Sequence, residues 1–170
     1  MMTEQLRPSG LNGSPRTPEA VLFRLLPALA AAPDDAGALR LALEAITSVV
    51  PCEQAFFHAW DSHAAPPQWR CSAATDPGFF NDYVARFRLI DPLASETVQQ
   101  RCLRENRSLA SDEVIAPAAL RRTPFHLRFL SCHGDLLHVL CRYAATGEHQ
   151  RTGLLLFRRA DQVPFSRQER

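Results

Sequence analysis

A phenol and a carboxylate lie close together in the segment from Asp76 to Cys102, DPGFFNDYVARFRLIDPLASETVQQRC. The Tyr83 hydroxyl donates or accepts hydrogen bonds, and an ionised Asp91 carboxylate only accepts them. Within apolar walls, such groups orient a bound small molecule. The same sequence also has a purely structural interpretation, because Asp is a preferred helix N-cap and Pro92 fits a first helical turn.

The residues before Asp91 are aromatic at helical spacing. Phe80, Tyr83, Val84 and Phe87 recur at i, i+3, i+4 and i+7, which predicts a helix with one aromatic face. Aromatic residues elsewhere in the chain are expected to extend this surface along one side of a sheet. The candidate ligand-binding residues are Tyr83, Asp91, Phe57, Trp69, Phe80, Phe87, His126 and Phe129. Core packing explains the aromatic residues equally well, so a ligand pocket and a filled core both stay open.

The sequence gives little support for catalysis or metal binding. Cys132 and His133 are adjacent, and adjacent residues seldom face each other on one element, so they do not indicate a nucleophile and its base. His138 and Cys141 are an odd number of positions apart and point to opposite faces of a strand. No dinucleotide-binding, phosphate-loop or H-E-x-x-H motif occurs. We predict no catalytic residue, no metal site and no cofactor.

Composition narrows the class of protein. The 170-residue chain is 46% hydrophobic, as is usual for a globular protein. Its net charge of +1 argues against nucleic-acid binding by this chain alone. It has no signal-peptide pattern and no run approaching the length of a membrane span, which predicts a cytoplasmic protein without a membrane partner. The five Cys residues form no C-x-x-C pair and are expected to be reduced.

The order of predicted elements indicates the fold class. Residues 1–16 mix Pro, Gly, Ser and Asn and predict a disordered leader, and residues 17–170 predict a single domain. Helices are predicted to begin at Thr17 and Asp35, at the aromatic stripe, at Asp91 and over Pro117 to Leu130, with Pro124 an interruption. Strands are predicted over Glu53 to Trp60, Gln68 to Ala74, Arg107 to Ala110, Leu136 to Tyr143 and Thr152 to Arg159. The last two flank ATGEHQR and are predicted to form an antiparallel hairpin, with Leu137, Val139, Cys141 and Tyr143 on the apolar face of the first. This order predicts an α+β fold with one antiparallel sheet of about five strands and helices on both faces.

Two motifs resemble the N-terminal sensor domain of LuxR-type transcriptional regulators. Tyr83 followed by Asp91 and Pro92 is similar to that family's Tyr and Asp-Pro element, and GLLLFRRADQVPFSRQER is similar to the run before its last sensor helix. The resemblance covers roughly residues 18–170 and implies a GAF-like or PAS-like fold. It also implies that Tyr83 and Asp91 hydrogen-bond a small organic signal, that the protein is a homodimer, and that DNA is bound only through a C-terminal region beyond Arg170.

The sequence therefore predicts a ligand-sensing regulatory domain. The alternative is a dimerisation or protein-interaction module of the same fold, whose pocket is filled by its own side chains. An enzyme acting on a small molecule ranks third, because no catalytic group is recognised.

Overall fold

Five antiparallel strands form one sheet: β1 Gln54–Asp61, β2 Arg70–Ala73, β3 Leu109–Ala110, β4 Leu136–Ala145 and β5 Gln150–Arg159. Their order is β2-β1-β5-β4-β3, so β5 is central and pairs with both β1 and β4. This computed structural model describes residues 18–61, 70–73 and 77–170. The expected final hairpin is confirmed, and so is the short edge strand before it.

The helices are α1 Pro18–Ala30, α2 Asp35–Val49, α3 Pro77–Asp82, α4 Glu96–Glu105, α5 Ser111–Val114 and α6 Pro117–Leu120. Asp34 caps α2 by accepting a 2.7 Å hydrogen bond from the Gly37 amide, which satisfies a donor of the first turn. The predicted α+β architecture with one antiparallel sheet is confirmed.

The two faces of the sheet bury different side chains. One face packs under α3, α4 and the segment after α6, and its buried cluster, here called the aromatic core, contains most of the buried rings. The other face packs against α2 and the C-terminal segment through a smaller cluster that includes Leu43, Leu156 and Phe165. Helices on both faces were expected, and the alternation of side chains divides β1, β3, β4 and β5 between these two clusters.

Two predicted helices differ from the observed ones. The helix predicted over Pro117 to Leu130, with Pro124 as an interruption, is observed as two segments: α6 ends at Leu120, and a π-helical turn spans His126–Leu130. Pro124 lies between them, and its ring and missing N–H oppose a continuous helix. The helix expected from Asp91 is a three-residue 3-10 turn, Pro92–Ala94, and α4 begins only at Glu96.

Some predictions fall outside the described residues. These are the leader over residues 1–16, the Thr17 cap and Trp69. Within the part of the chain that the structure describes, no helix is long and apolar enough to cross a membrane.

Candidate ligand-binding site

Tyr83 and Asp91 form a buried hydrogen-bonded pair. The Tyr83 hydroxyl donates to Oδ2 of Asp91 at 2.9 Å, and Oδ1 of Asp91 accepts from the Leu93 amide at 2.8 Å. Tyr83 is fully buried and Asp91 is only 5% exposed. The structural and functional interpretations of Asp91 therefore coexist, because one oxygen caps the Pro92–Ala94 turn and the other meets the tyrosine.

A local change of helix type brings the pair together. α3 continues into a π-helical turn over Tyr83–Phe87, in which the Arg88 amide donates to the Tyr83 carbonyl. A π turn contains more residues than an α turn, so it shifts the side chains that follow it around the helix. Phe79, Tyr83 and Phe87 are the buried residues of this segment, and Phe80 is only partly buried. All four residues of the predicted aromatic face contact the aromatic core: Tyr83 and Phe87 are buried in it, and Phe80 and Val84 pack against it.

Aromatic rings surround Tyr83. Its ring centroid lies 4.9 Å from that of Phe56, 5.8 Å from that of Phe129 and 6.3 Å from that of Phe125. Phe129 in turn stacks on Phe87 with centroids 4.9 Å apart. Such tilted and offset contacts are favourable for aromatic rings and hold the tyrosine rigidly.

Burial changes the acid–base behaviour of the pair. Desolvation raises the pKa of Asp91 to about 7, against the opposing effect of the hydrogen bonds from Leu93 and Tyr83. Desolvation, followed by the nearby Asp91 carboxylate, raises the pKa of Tyr83 well above its ordinary value. A carboxylate that is costly to ionise and held by a phenol in an apolar environment is typical of functional sites.

The predicted site residues do not all meet at this pair. Phe87 and Phe129 belong to the aromatic core, and Phe80 packs against it with its ring 5.3 Å from that of Phe56. Phe57 packs on the opposite face of the sheet, so its predicted place in the site is corrected, and Phe56 lies there instead. Both rows of β1 are apolar, so the sequence alone did not distinguish the two faces.

His126 and Trp69 have separate outcomes. His126 is buried, with Nε2 3.4 Å from a carboxylate oxygen of Asp135, and the described contacts do not join it to Tyr83 or Asp91. Its place at a ligand stays a prediction. Trp69 lies outside the described residues, so its role also stays a prediction.

Three site residues that the sequence did not single out lie across adjacent strands. His58 on β1 pairs in register with Gly153 on β5, and Gly153 pairs with Tyr143 on β4. His58 and Tyr143 are both almost fully buried, with ring centroids 6.2 Å apart. The contact depends on strand register, which no local motif in the sequence encodes.

A narrow cleft lies beside these rings. It is lined by His58, Trp60, Arg88, Ala94, Gln99 and Tyr143, and we call it the Tyr143 cleft. Its volume of about 10 Å³ is on the scale of one water molecule. A ligand larger than this enters only if side chains lining the cleft move.

The fold is similar to that of the ligand-binding domains of LuxR-family transcription factors. No protein-family model matches the chain, and no curated protein sequence matches it. The likeness therefore rests on three-dimensional structure, and it confirms the resemblance at the level of the fold.

Three solved structures illustrate the likeness. The first is the N-acylhomoserine lactone dependent LuxR-family transcription factor CepR2 from Burkholderia cenocepacia, with 17% identity, a TM-score of 0.63 and coverage of 89% of this chain and 84% of that one. The second is the VqsR ligand-binding domain from Pseudomonas aeruginosa, with 14% identity, a TM-score of 0.61 and the same coverages. The third is SdiA, a protein of Escherichia coli, in complex with octanoyl-rac-glycerol, with 16% identity and a TM-score of 0.59. The match covers 89% of this chain and 58% of that SdiA chain.

Proposed function

We propose that this chain is a ligand-sensing regulatory domain that binds a small organic signal between the sheet and the helical segment carrying Tyr83 and Asp91. The proposal extends to transcriptional control through a DNA-binding region outside this chain, and to a cytoplasmic homodimer. Its fold is shared with CepR2, described as N-acylhomoserine lactone dependent, and with SdiA, seen in complex with octanoyl-rac-glycerol.

The observation that carries the proposal is the buried Asp91 carboxylate. A three-residue turn needs only an acceptor at its N-cap, and Ser or Asn supplies one without the cost of burying a charge. Asp91 instead lies at 5% exposure among aromatic rings and accepts from Tyr83. When ionised, a carboxylate held in an apolar environment only accepts hydrogen bonds, so it is suited to bind an N–H or O–H group of a ligand.

One observation favours the alternative, a dimerisation or interaction module without a small ligand. The rings around Tyr83 pack closely, and the neighbouring Tyr143 cleft has a volume of only about 10 Å³. Pockets for drug-sized ligands occupy roughly 300–1,000 Å³. Sensing therefore requires that the aromatic core opens on binding, whereas the module requires no opening.

Melting curves with two defined probes distinguish these functions. The probes are octanoyl-rac-glycerol and N-octanoyl-homoserine lactone, and the proteins are the parent, Asp91→Asn and Asp91→Ala. At a hundredfold excess over Kd, a bound probe stabilises by about 2.7 kcal/mol, which raises Tm by roughly 5–10 °C. We expect Asp91→Asn to keep the parent fold, because its amide still caps the turn, and to lose most of this shift.

The matched control is Asp34→Asn. Asp34 is also an N-cap carboxylate, but it is exposed at the start of α2 on the other face of the sheet. It should leave the shift unchanged. If Asp91→Asn retains the full shift, Asp91 acts only as a cap. If neither probe shifts the parent and mass spectrometry finds no small molecule in gently purified protein, the interaction module replaces sensing.

A further inference from the structure

Gly153 permits an unusual contact between strands. A Cβ atom added there would lie 2.3 Å from Nε2 of His58 and 2.8 Å from Cε1 of Tyr143, distances that packed atoms do not reach. Because the glycine has no side chain, the imidazole from β1 lies across β5 and meets the phenol from β4. This arrangement directs two polar rings into the aromatic core at one position.

The two tyrosines of the chain differ in hydrogen bonding. Tyr83 donates to Asp91, whereas the Tyr143 hydroxyl is buried and has no hydrogen-bond partner among the described residues. A buried hydroxyl without a partner is destabilising, and native proteins seldom leave one. Phenylalanine would fill the same volume without this cost, so the hydroxyl indicates a partner from outside the protein.

The Tyr143 cleft supplies the surroundings for that partner. Arg88 brings a guanidinium to its lining, and this positive charge opposes the larger effects of burial and of the Asp91 carboxylate on the pKa of both tyrosines. The Gln99 amide nitrogen donates to the Ala94 carbonyl at 2.8 Å, which fixes the side chain at the wall. Half-buried Trp60 lies edge-on to the His58 ring, with centroids 4.9 Å apart. A hydroxyl donor and a guanidinium together favour an oxygen acceptor.

We propose that the Tyr143 cleft is a second polar subsite, which binds a carbonyl or carboxylate oxygen of the ligand through the Tyr143 hydroxyl, beside the positive charge of Arg88. This inference rests on the proposed function and adds a chemical requirement to it. The cleft admits a single oxygen-sized group, so the side chains lining it must move to admit the rest of the ligand.

Fluorine NMR tests the subsite directly, because 3-fluorotyrosine introduces only two labels. Tyr143→Phe assigns the two resonances by removing one. The probes are octanoyl-rac-glycerol, which has an ester carbonyl, octanoate, which has a carboxylate, and octylamine, which has no acceptor oxygen. We expect octanoyl-rac-glycerol or octanoate to move the Tyr143 resonance and octylamine to leave it unmoved. Which of the two moves it distinguishes a carbonyl ligand from a carboxylate ligand.

The affinity of the parent and of Tyr143→Phe for the same probes is measured beside the spectra. Tyr143→Phe should weaken binding of the active probe about tenfold, the loss of roughly one hydrogen bond. It should melt at the same temperature as the parent or higher, because the hydroxyl has no partner among the described residues to lose. A role confined to packing predicts the same melting temperature but no loss of binding.

Two results overturn the inference in distinguishable ways. If a probe binds the parent and Tyr143→Phe equally, and the Tyr143 resonance does not move, the subsite is wrong but ligand sensing stands. If none of the three probes shifts either resonance or the parent melting curve, the subsite fails, and the sensing function fails with it when the lactone probe and mass spectrometry are also negative.

Discussion

Arg158 on β5 and Glu169 in the C-terminal segment form an ion pair with Nη2 and Oε1 2.5 Å apart. The guanidinium also donates to the Pro51 carbonyl at 2.7 Å and lies 4.1 Å from the ring centroid of Phe165. The Arg158 side chain thus holds the C-terminal segment against the face of the sheet opposite the Tyr83–Asp91 pair. β5 links the two faces, because Leu155 and Phe157 enter the aromatic core while Leu156 packs beside Phe165.

Arg158→Lys should destabilise the domain by about 2–4 kcal/mol. Lysine keeps the charge but lacks the planar fork that satisfies several acceptors at once, and the side chain is nearly buried. The matched control is Arg159→Lys, whose side chain is half exposed and pairs with Asp161, so it should change stability by no more than about 0.5 kcal/mol. Urea unfolding of both variants measures the difference, and equal losses would contradict this account of Arg158.

Gly153→Ala should destabilise by about 1–3 kcal/mol. The new methyl group overlaps the imidazole of His58 and the ring of Tyr143, so packed side chains in the aromatic core must shift. Gly147→Ala is the control, because a Cβ there meets nothing nearer than 3.5 Å, and it should stay within about 0.5 kcal/mol of the parent. Denaturant unfolding distinguishes the two, and a neutral Gly153→Ala would mean that the three-strand contact is loose.

The fold was largely predictable because its signals are local. The apolar runs before and after ATGEHQR predicted the β4–β5 hairpin, and the alternation within β4 placed Val139, Cys141 and Tyr143 on one buried face. Pro124 marked the interruption of the predicted helix, which the structure places between α6 and the π-helical turn.

The site was only partly predictable because its contacts depend on register and helix type. Tyr83 and Asp91 were found from residue type and a cap signal, and the structure joins them. The buried set also includes Phe79, which the predicted aromatic face omitted, and no sequence period shows the π turn that follows it. The contact between His58 and Tyr143 passes over Gly153 on a third strand, so it follows from the pairing of β1, β5 and β4.

The stability of Asp91→Asn relative to the parent should increase as pH rises from about 4 to about 7. In the folded parent, the raised pKa of Asp91 keeps its proton bound through this window, whereas the unfolded chain releases it near pH 4. The parent therefore loses stability with rising pH through this group, by an amount on the order of 4 kcal/mol. Unfolding free energies at several pH values should show the difference between variant and parent growing, and a constant difference would mean that Asp91 has an ordinary pKa.

His58 should make the free energy of unfolding rise with pH, the opposite of the effect of Asp91. Removing His58 therefore tests whether the two buried groups offset each other. Burial, with a smaller contribution from Arg88, lowers the pKa of His58 to about 3, so the folded protein keeps it neutral. The unfolded chain takes up a proton below about pH 6.5, which costs stability on the order of 4 kcal/mol as pH falls toward 3. Between about pH 4 and 6.5, the contributions of His58 and Asp91 therefore nearly cancel in the parent.

His58→Gln should expose the uncompensated contribution of Asp91. Relative to the parent, the stability of this variant should fall as pH rises through that window, while that of Asp91→Asn rises. Each difference from the parent removes the titrations common to both proteins, so the signs do not depend on the remaining carboxylates. Unfolding free energies of the two variants and the parent over pH 4–7 provide the measurement. Parallel curves for all three would contradict the account of two buried groups with opposite proton linkage.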